Sequence, residues 1–181
     1  MPYLDALTRE AADAGNQAIF DQLKSKIGMV PNLYATYANS PVALSAILEF
    51  DGALKGGSFS NREIEAIALA IAEANACDYC LAAHTALGKM NGFSEEETIE
   101  LRTLSIGDDK LRALIDLATS ITVTRGRPEA AKIEAFLAVG YNKAALVELI
   151  GFVAVNTYNN YLNNIADTVV DFPAAPAVSV A

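Results

Sequence analysis

Residues 62–84 read REIEAIALAIAEANACDYCLAAH, and this stretch decides the fold. Ser60 followed by Glu63 matches a capping box, so we expect a helix to begin there and to run to about Ala74. Ala, Leu and Ile occupy most sides of this helix, which predicts that it is buried. A second helix is predicted from Cys77 to Met90. The stretch therefore predicts two helices joined by a short turn.

The rest of the chain also shows a helical period. Helices are predicted over residues 13–27, 41–55, 108–124, 128–138 and 142–167, and a short one begins at Ser94. No segment shows the period-two alternation of a strand, so the predicted fold class is all-α. One domain of residues 1–173 is expected, followed by a C-terminal tail of residues 174–181.

A shift of 48 residues aligns parts of the chain with one another. NGFSEEETIEL (91–101) then lies over VGYNKAALVEL (139–149). We predict an internal duplication of a helical unit, although chance in an Ala- and Leu-rich chain could produce part of the match. At the same shift Cys77, Cys80 and His84 meet Arg125, Pro128 and Lys132, so only the first copy keeps reactive side chains.

Composition excludes several classes of protein. Hydrophobic residues make up 52% of the chain and charged residues 19%, which excludes disorder and favours self-association. The net charge is −9 and no basic cluster is present, so nucleic acid is not an expected partner. The longest uncharged run, residues 149–166, contains five asparagines that a membrane helix would not tolerate. The acidic N-terminus lacks the apolar segment of a signal peptide, so we expect a cytoplasmic protein that does not bind membranes.

The two cysteines form a Cys-x-x-Cys pair, Cys77 and Cys80. A bridge between them would close almost no loop, so a purely stabilising disulfide is a weak interpretation. Asn75 is a suitable N-cap and would place both thiols in the first turns of the second helix. Free N–H groups and the helix dipole favour a thiolate there. His84 completes an i, i+3, i+7 spacing, so we expect all three side chains on one face and the imidazole near Cys80.

Counting residues from the turn places Glu65 in the predicted site. If the chain reverses near Asn75, Glu65 and His84 each lie about 14 Å along their helices at about 1.5 Å per residue, and they face each other. A carboxylate in that position could orient the imidazole and raise its basicity. The alternative interpretation is that Glu65 is an ordinary solvated residue.

A metal site is another possible use of these side chains. Two Cys and one His supply three ligands, and the chain contains no further Cys or His. The fourth ligand would have to be Glu65 or water, an arrangement that closed structural zinc sites rarely use. We therefore expect no bound metal and no cofactor.

The motif resembles that of the AhpD-like alkylhydroperoxidase branch of the carboxymuconolactone decarboxylase family. The shared pattern is a Glu twelve residues before a Cys-x-x-Cys-x-x-x-His, with an Asn two residues before the first Cys: Glu65, Cys77, Cys80, His84 and Asn75. Ala76 stands where Gly is often found. The stretch NYLNNIADTVVDFP (160–173) is also similar to the closing segment of peroxidase-related members. The decarboxylases proper lack the cysteine pair, which argues against decarboxylation.

The resemblance implies an AhpD-like helical fold, commonly assembled into homotrimers or hexamers. It also implies a two-cysteine peroxidase in which Cys80 attacks the peroxide and Cys77 resolves the sulfenic acid. Glu65 and His84 would then relay protons, and a lipoyl-type or thioredoxin-like dithiol protein would supply electrons. The residues themselves do not say which cysteine attacks.

The leading hypothesis is a thiol-dependent peroxidase that reduces hydrogen peroxide or organic hydroperoxides. Two alternatives stay open. One is a general thiol–disulfide oxidoreductase without significant peroxidase activity, and the other is a non-enzymatic metal-binding or assembly module. Tyr79, Tyr158 and Tyr161 could line an apolar substrate pocket, although core or subunit packing explains these tyrosines equally well.

Overall fold

The computed structural model describes residues 3–178, and within them every regular element is an α-helix. In chain order the nine helices of this part are α1 (Ala14–Ile27), α2 (Asn32–Tyr37), α3 (Pro41–Leu54), α4 (Asn61–Ala74), α5 (Asp78–Met90), α6 (Glu95–Arg102), α7 (Asp109–Val123), α8 (Ala130–Ala138) and α9 (Lys143–Ala166). The predicted all-α class is confirmed. Predicted helix ends agree with the observed ones within about two residues, the usual latitude at frayed termini.

Helix α4 is the centre of the molecule and packs against α5, α6, α7 and α9. The predicted capping box begins it, with the Ser60 side chain accepting from the Glu63 N–H and the Glu63 carboxylate accepting from the Ser60 N–H. Ile67 and Ile71 face a cluster with Leu114 of α7. Leu69 faces the opposite cluster, which contains both cysteines. Each of these fully buried aliphatic side chains contributes about 1.5–3 kcal/mol of transfer free energy.

Helix α2 is the element that the sequence did not predict. Pro31 precedes it, and no side chain caps its first turn. Tertiary contacts hold it instead: Tyr37 is buried and its hydroxyl donates to Asn159 Oδ1 of α9 at 2.9 Å. A helix this short is unstable by itself, so its formation depends on that packing.

The helix boundaries repeat at the 48-residue shift noted in the sequence. Helix α4 begins at Asn61 and α7 at Asp109, while α6 begins at Glu95 and α9 at Lys143. This agreement supports the proposed duplication, which stays a prediction.

The C-terminal segment runs back over the α4–α5 turn. Asn32 N–H donates to Asp171 Oδ2, and the Phe172 ring meets the Tyr79 ring edge-on at 5.8 Å between centroids. Arg102 donates to the Pro176 carbonyl at 2.6 Å, so the start of the predicted tail packs on the body of the protein. Residues 179–181 of that tail lie outside the described residues, and the domain limit at 173 stays a prediction.

None of the helices between residues 3 and 178 combines the length and the hydropathy that crossing a membrane requires.

Candidate functional site

The turn between α4 and α5 is shaped by a backbone motif in which Cys77 takes part twice. Ala76 adopts a left-handed conformation with φ of 49°, and its N–H donates to the Glu73 carbonyl. The Cys77 N–H donates to the Ala72 carbonyl, which completes a Schellman motif at the end of α4. Cys77 is also the N-cap of α5, since its sulfur accepts from the Cys80 N–H at 3.4 Å. Asn75, predicted as the N-cap, is instead the C-cap of α4.

The two sulfur atoms are in direct contact. Cys77 Sγ and Cys80 Sγ are 2.7 Å apart without a covalent bond. Cys77 is 0% exposed and Cys80 2% exposed, so a charge on either sulfur must be held by protein groups rather than by water. Asn163 Nδ2 of α9 donates to Cys80 Sγ at 3.3 Å. Each sulfur thus accepts one N–H hydrogen bond, and the pair lies close enough for disulfide formation.

The electrostatic environment favours ionisation of Cys77. A hydrogen bond from the Cys80 thiol lowers the pKa of Cys77, burial opposes this, and the backbone N–H of Cys80 and the charge of His84 add to the lowering. The hydrogen bond with Cys77 and burial raise the pKa of Cys80, against the opposing effect of the Asn160 and Asn163 amides. The helix start and the imidazole act on Cys77, and the attacking role of Cys80, which the family resemblance implies, stays a prediction.

Glu65 and His84 meet across the α4–α5 pair as the residue count predicted. His84 Nδ1 and Glu65 Oε2 are 2.8 Å apart, and their side chains are 22% and 11% exposed. The antiparallel helix pair brings them together because each lies nearly the same distance from the turn. The expected contact between the carboxylate and the imidazole is confirmed.

A surface cavity of about 270 Å³ lies beside the cysteine pair. Its lining includes Ala76, Tyr79 and Asn163, which flank the two cysteines in sequence or in space. The Tyr79 hydroxyl accepts from the Leu33 N–H at 3.2 Å, so the ring is fixed in place. Burial raises the pKa of Tyr79, which stays a neutral phenol.

Of the three tyrosines considered for a pocket, only Tyr79 lines this cavity. Tyr158 and Tyr161 of α9 are both about half exposed on the surface. Tyr158 packs edge-on against Tyr37, as expected for a tyrosine that contributes to packing rather than to a substrate pocket.

Sequence reasoning missed the contribution of α9. The asparagines of its uncharged run served only to argue against a membrane helix, yet Asn156, Asn160 and Asn163 are all buried. Their spacing of four and three residues puts them on one helix face, which is the signal that could have identified an internal polar surface.

Between residues 3 and 178, no group of three or more His, Cys, Asp or Glu side chains has the arrangement of a metal site. The metal-binding alternative therefore gains no support from the geometry.

Comparison with known proteins finds a family match over the segment that contains this site. Residues 41–106, which contain all five motif residues, match the carboxymuconolactone decarboxylase family. No curated protein sequence matches the chain.

Solved structures share the fold over nearly the whole chain. An uncharacterized peroxidase-related protein from Silicibacter sp. TM1040 is 24% identical, with a TM-score of 0.80 and coverage of 92% of each chain. An alkylhydroperoxidase AhpD core protein from Ralstonia eutropha JMP134, also described as peroxidase-related, is 22% identical, with a TM-score of 0.82 and coverage of 92% of this chain and 90% of that one.

The debrominase Bmp8, in a cysteine-to-alanine variant bound to 2,3,4-tribromopyrrole, is 15% identical. Its TM-score is 0.80, and the match covers 94% of this chain and 92% of that one. Likenesses at these low identities establish the fold alone, and the fold is the AhpD-like one that the motif implied. The chain thus has an AhpD-like helical fold, and the segment that carries the motif matches the carboxymuconolactone decarboxylase family.

Proposed function

We propose that the chain is a thiol-dependent peroxidase that reduces hydrogen peroxide or organic hydroperoxides. The observation that carries this proposal is the buried contact of 2.7 Å between Cys77 Sγ and Cys80 Sγ. The neighbouring hydrogen bond between His84 and Glu65 supports it, because peroxide reduction needs a proton donor for each leaving oxygen. Two adjacent thiols can supply both electrons and finish as a disulfide.

The reaction begins with the Cys77 thiolate accepting the Cys80 proton. Cys80 then attacks the terminal peroxide oxygen, the O–O bond breaks, and the leaving alkoxide or hydroxide takes the proton from Cys77. Cys80 is now a sulfenic acid. The Cys77 thiolate attacks its sulfur and expels hydroxide, which the His84 imidazolium protonates to water. The attacking role of Cys80 comes from the family pattern, and the lowered pKa of Cys77 supports its role as the base.

The resulting disulfide must be reduced by an external dithiol. We propose a lipoyl-type or thioredoxin-like protein, whose thiolate attacks one sulfur and leaves as a disulfide after a second exchange. The two protons of the dithiol restore the Cys80 thiol and the proton on His84, and Cys77 returns to its thiolate. No further cofactor enters the scheme.

We also propose that the chain forms a homo-oligomer, a trimer or hexamer. Helix α9 exposes large apolar side chains along one side, at steps of three, eight, three and four residues: Val147, Ile150, Tyr158, Tyr161 and Ile165. A stripe of this kind on a water-facing helix is typical of an association surface.

Stopped-flow mixing of the reduced chain with hydrogen peroxide and with cumene hydroperoxide tests the peroxidase. We expect thiol loss well above the rate of free cysteine, with Cys80→Ser inactive. Cys77→Ser should react more slowly, because the base is lost, and should accumulate a Cys80 sulfenic acid that a diketone reagent traps. A further variant, Glu65→Gln, tests the carboxylate beside His84. Its control is Glu49→Gln, which changes an exposed carboxylate of α3. Thiol loss no faster than that of free cysteine would refute the peroxidase.

The same variants separate the second candidate, a thiol–disulfide oxidoreductase, which the same sulfur contact favours. If peroxide reacts slowly while the disulfide exchanges rapidly with dithiols, exchange is the function. Because the debrominase Bmp8 shares this fold, 2,3,4-tribromopyrrole is also mixed with the reduced chain as a third test compound. Debromination by the reduced chain in place of peroxide consumption would assign reductive dehalogenation.

A further inference from the structure

One buried polar group near the cysteine pair is only half satisfied. Asn163 of α9 is 3% exposed, and its Nδ2 donates to Cys80 Sγ at 3.3 Å. Its Oδ1 is buried and accepts no hydrogen bond from the residues that the structure describes. Asn156, buried on the same face two turns earlier, instead donates to the Phe152 carbonyl of its own helix. The buried side-chain oxygen without a partner thus belongs to Asn163, the asparagine that contacts Cys80 Sγ.

Leaving a buried carbonyl oxygen without a donor is costly, and native proteins rarely do so without a reason. The two polar atoms of one amide are neighbours in a plane. A hydroxyl group attached to, or approaching, Cys80 Sγ would therefore lie beside Oδ1 while Sγ keeps its contact with Nδ2. Asn163 also lines the surface cavity at the α4–α5 turn, whose lining includes neither cysteine.

We propose that Asn163 binds the hydroxyl end of the hydroperoxide during attack and the sulfenic acid of Cys80 afterwards. The hydrogen-bond donors and acceptors of the Asn163 amide are complementary to those of both groups. A hydroperoxide and a sulfenic acid each carry one O–H donor, which Oδ1 accepts, and the sulfur beside it accepts from Nδ2. This inference rests on the proposed peroxidase function and names the residue that recognises its reacting group.

The role is confined to one half of the cycle. When Cys80 Sγ attacks the terminal oxygen, an S–O bond forms, the O–O bond breaks and the alkoxide leaves with the proton from Cys77. The transferred hydroxyl stays on Cys80 and donates to Asn163 Oδ1. Once Cys77 displaces that hydroxyl as water, the disulfide has no O–H to donate. Reduction of the disulfide by a dithiol therefore proceeds without this hydrogen bond.

A merely structural Asn163, one that only anchors α9 to α5, predicts something different. Its loss would shift the position of Cys80 and slow both half-reactions together. Measuring the two half-reactions separately therefore distinguishes the two roles.

The test uses the full chain with Asn163→Leu, which keeps a similar volume, and Asn163→Ala. Asn156→Ala is the matched control, a buried asparagine of the same helix. Stopped flow measures thiol loss with hydrogen peroxide and cumene hydroperoxide, and a second assay follows reduction of the purified disulfide by dithiothreitol. Circular dichroism verifies folding, and if one Asn163 variant fails to fold the other carries the test.

We expect both Asn163 variants to lose about ten- to hundredfold in the peroxide rate constant, as for removal of a positioned hydrogen-bonding group. Disulfide reduction should stay within about twofold of the unmodified chain, and Asn156→Ala should keep the ratio of the two rates. In a Cys77→Ser background, Asn163→Leu should lower the yield of trapped sulfenic acid.

Equal losses in both half-reactions, or no loss with peroxide, would overturn the role of Asn163 while the peroxidase proposal stands. An unmodified chain that fails to react with peroxide would instead remove both proposals.

Discussion

The left-handed conformation of Ala76 at the α4–α5 turn predicts that substitution by glycine stabilises the chain. The same substitution two residues earlier, at Ala74, should destabilise it. Ala76 has φ of 49°, a conformation that costs an L-residue about 1–2 kcal/mol. Glycine removes that strain but loses about 0.5–1 kcal/mol more conformational entropy on folding. The balance predicts that Ala76→Gly stabilises the chain by about 0.5–1 kcal/mol. The gain also explains why the related motif often has Gly at this position.

Ala74 is the matched control because it is exposed like Ala76 but ends α4 in a helical conformation. Ala74→Gly is expected to destabilise the chain by up to about 1 kcal/mol, since it relieves no strain. Equilibrium unfolding in urea at neutral pH measures both changes. Thermal midpoints should move in opposite directions by about 1–4 °C for a chain of this length.

Peroxide reactivity should be unchanged in Ala76→Gly, because the groups that hold Cys77 are the backbone atoms of neighbouring residues. If Ala76→Gly lowers the midpoint as much as Ala74→Gly does, the left-handed turn is not the geometry of this site.

Three further predictions concern single side chains. Burial raises the pKa of Glu63, but hydrogen bonds from Tyr141 and Ser60 outweigh it and hold the pKa at about 2, below the ordinary 4.5. The ionised Glu63 carboxylate therefore stabilises the fold fully above pH 4.5, and this stabilisation is lost as the pH falls through about 2. In Glu63→Gln, the urea concentration at the unfolding midpoint should fall less steeply over this pH range. Glu65→Gln should lower the peroxide rate constant about 10- to 100-fold by removing the partner of the imidazole, while a neutral effect would show that the relay is unnecessary. Tyr161→Arg should reduce the mass measured by light scattering, since a charge on the apolar stripe opposes association; an unchanged mass would place the interface elsewhere.

The helix pair and the Glu65–His84 hydrogen bond follow from local rules. Capping at Ser60 and the apolar pattern of α4 define the first helix, and a count of residues from the turn pairs Glu65 with His84. Such patterns act over a few residues, where backbone geometry is nearly fixed. The exact cap was mispredicted because Asn is a preferred N-cap residue and Cys is not, whereas the Schellman motif makes Asn75 the C-cap of α4 and leaves Cys77 as the N-cap of α5.

The sequence by itself determined the all-α class, the position of the cysteine pair and the residue that faces His84. Only the tertiary structure decided that α9 reaches across 83 residues to place the Asn163 amide on Cys80, and that Cys77 is the sulfur more easily ionised. Periodicity shows which face of α9 is buried, but the partner of that face depends on how the helices cross. The pKa order depends on which sulfur receives each hydrogen bond, and that is fixed by packing rather than by spacing.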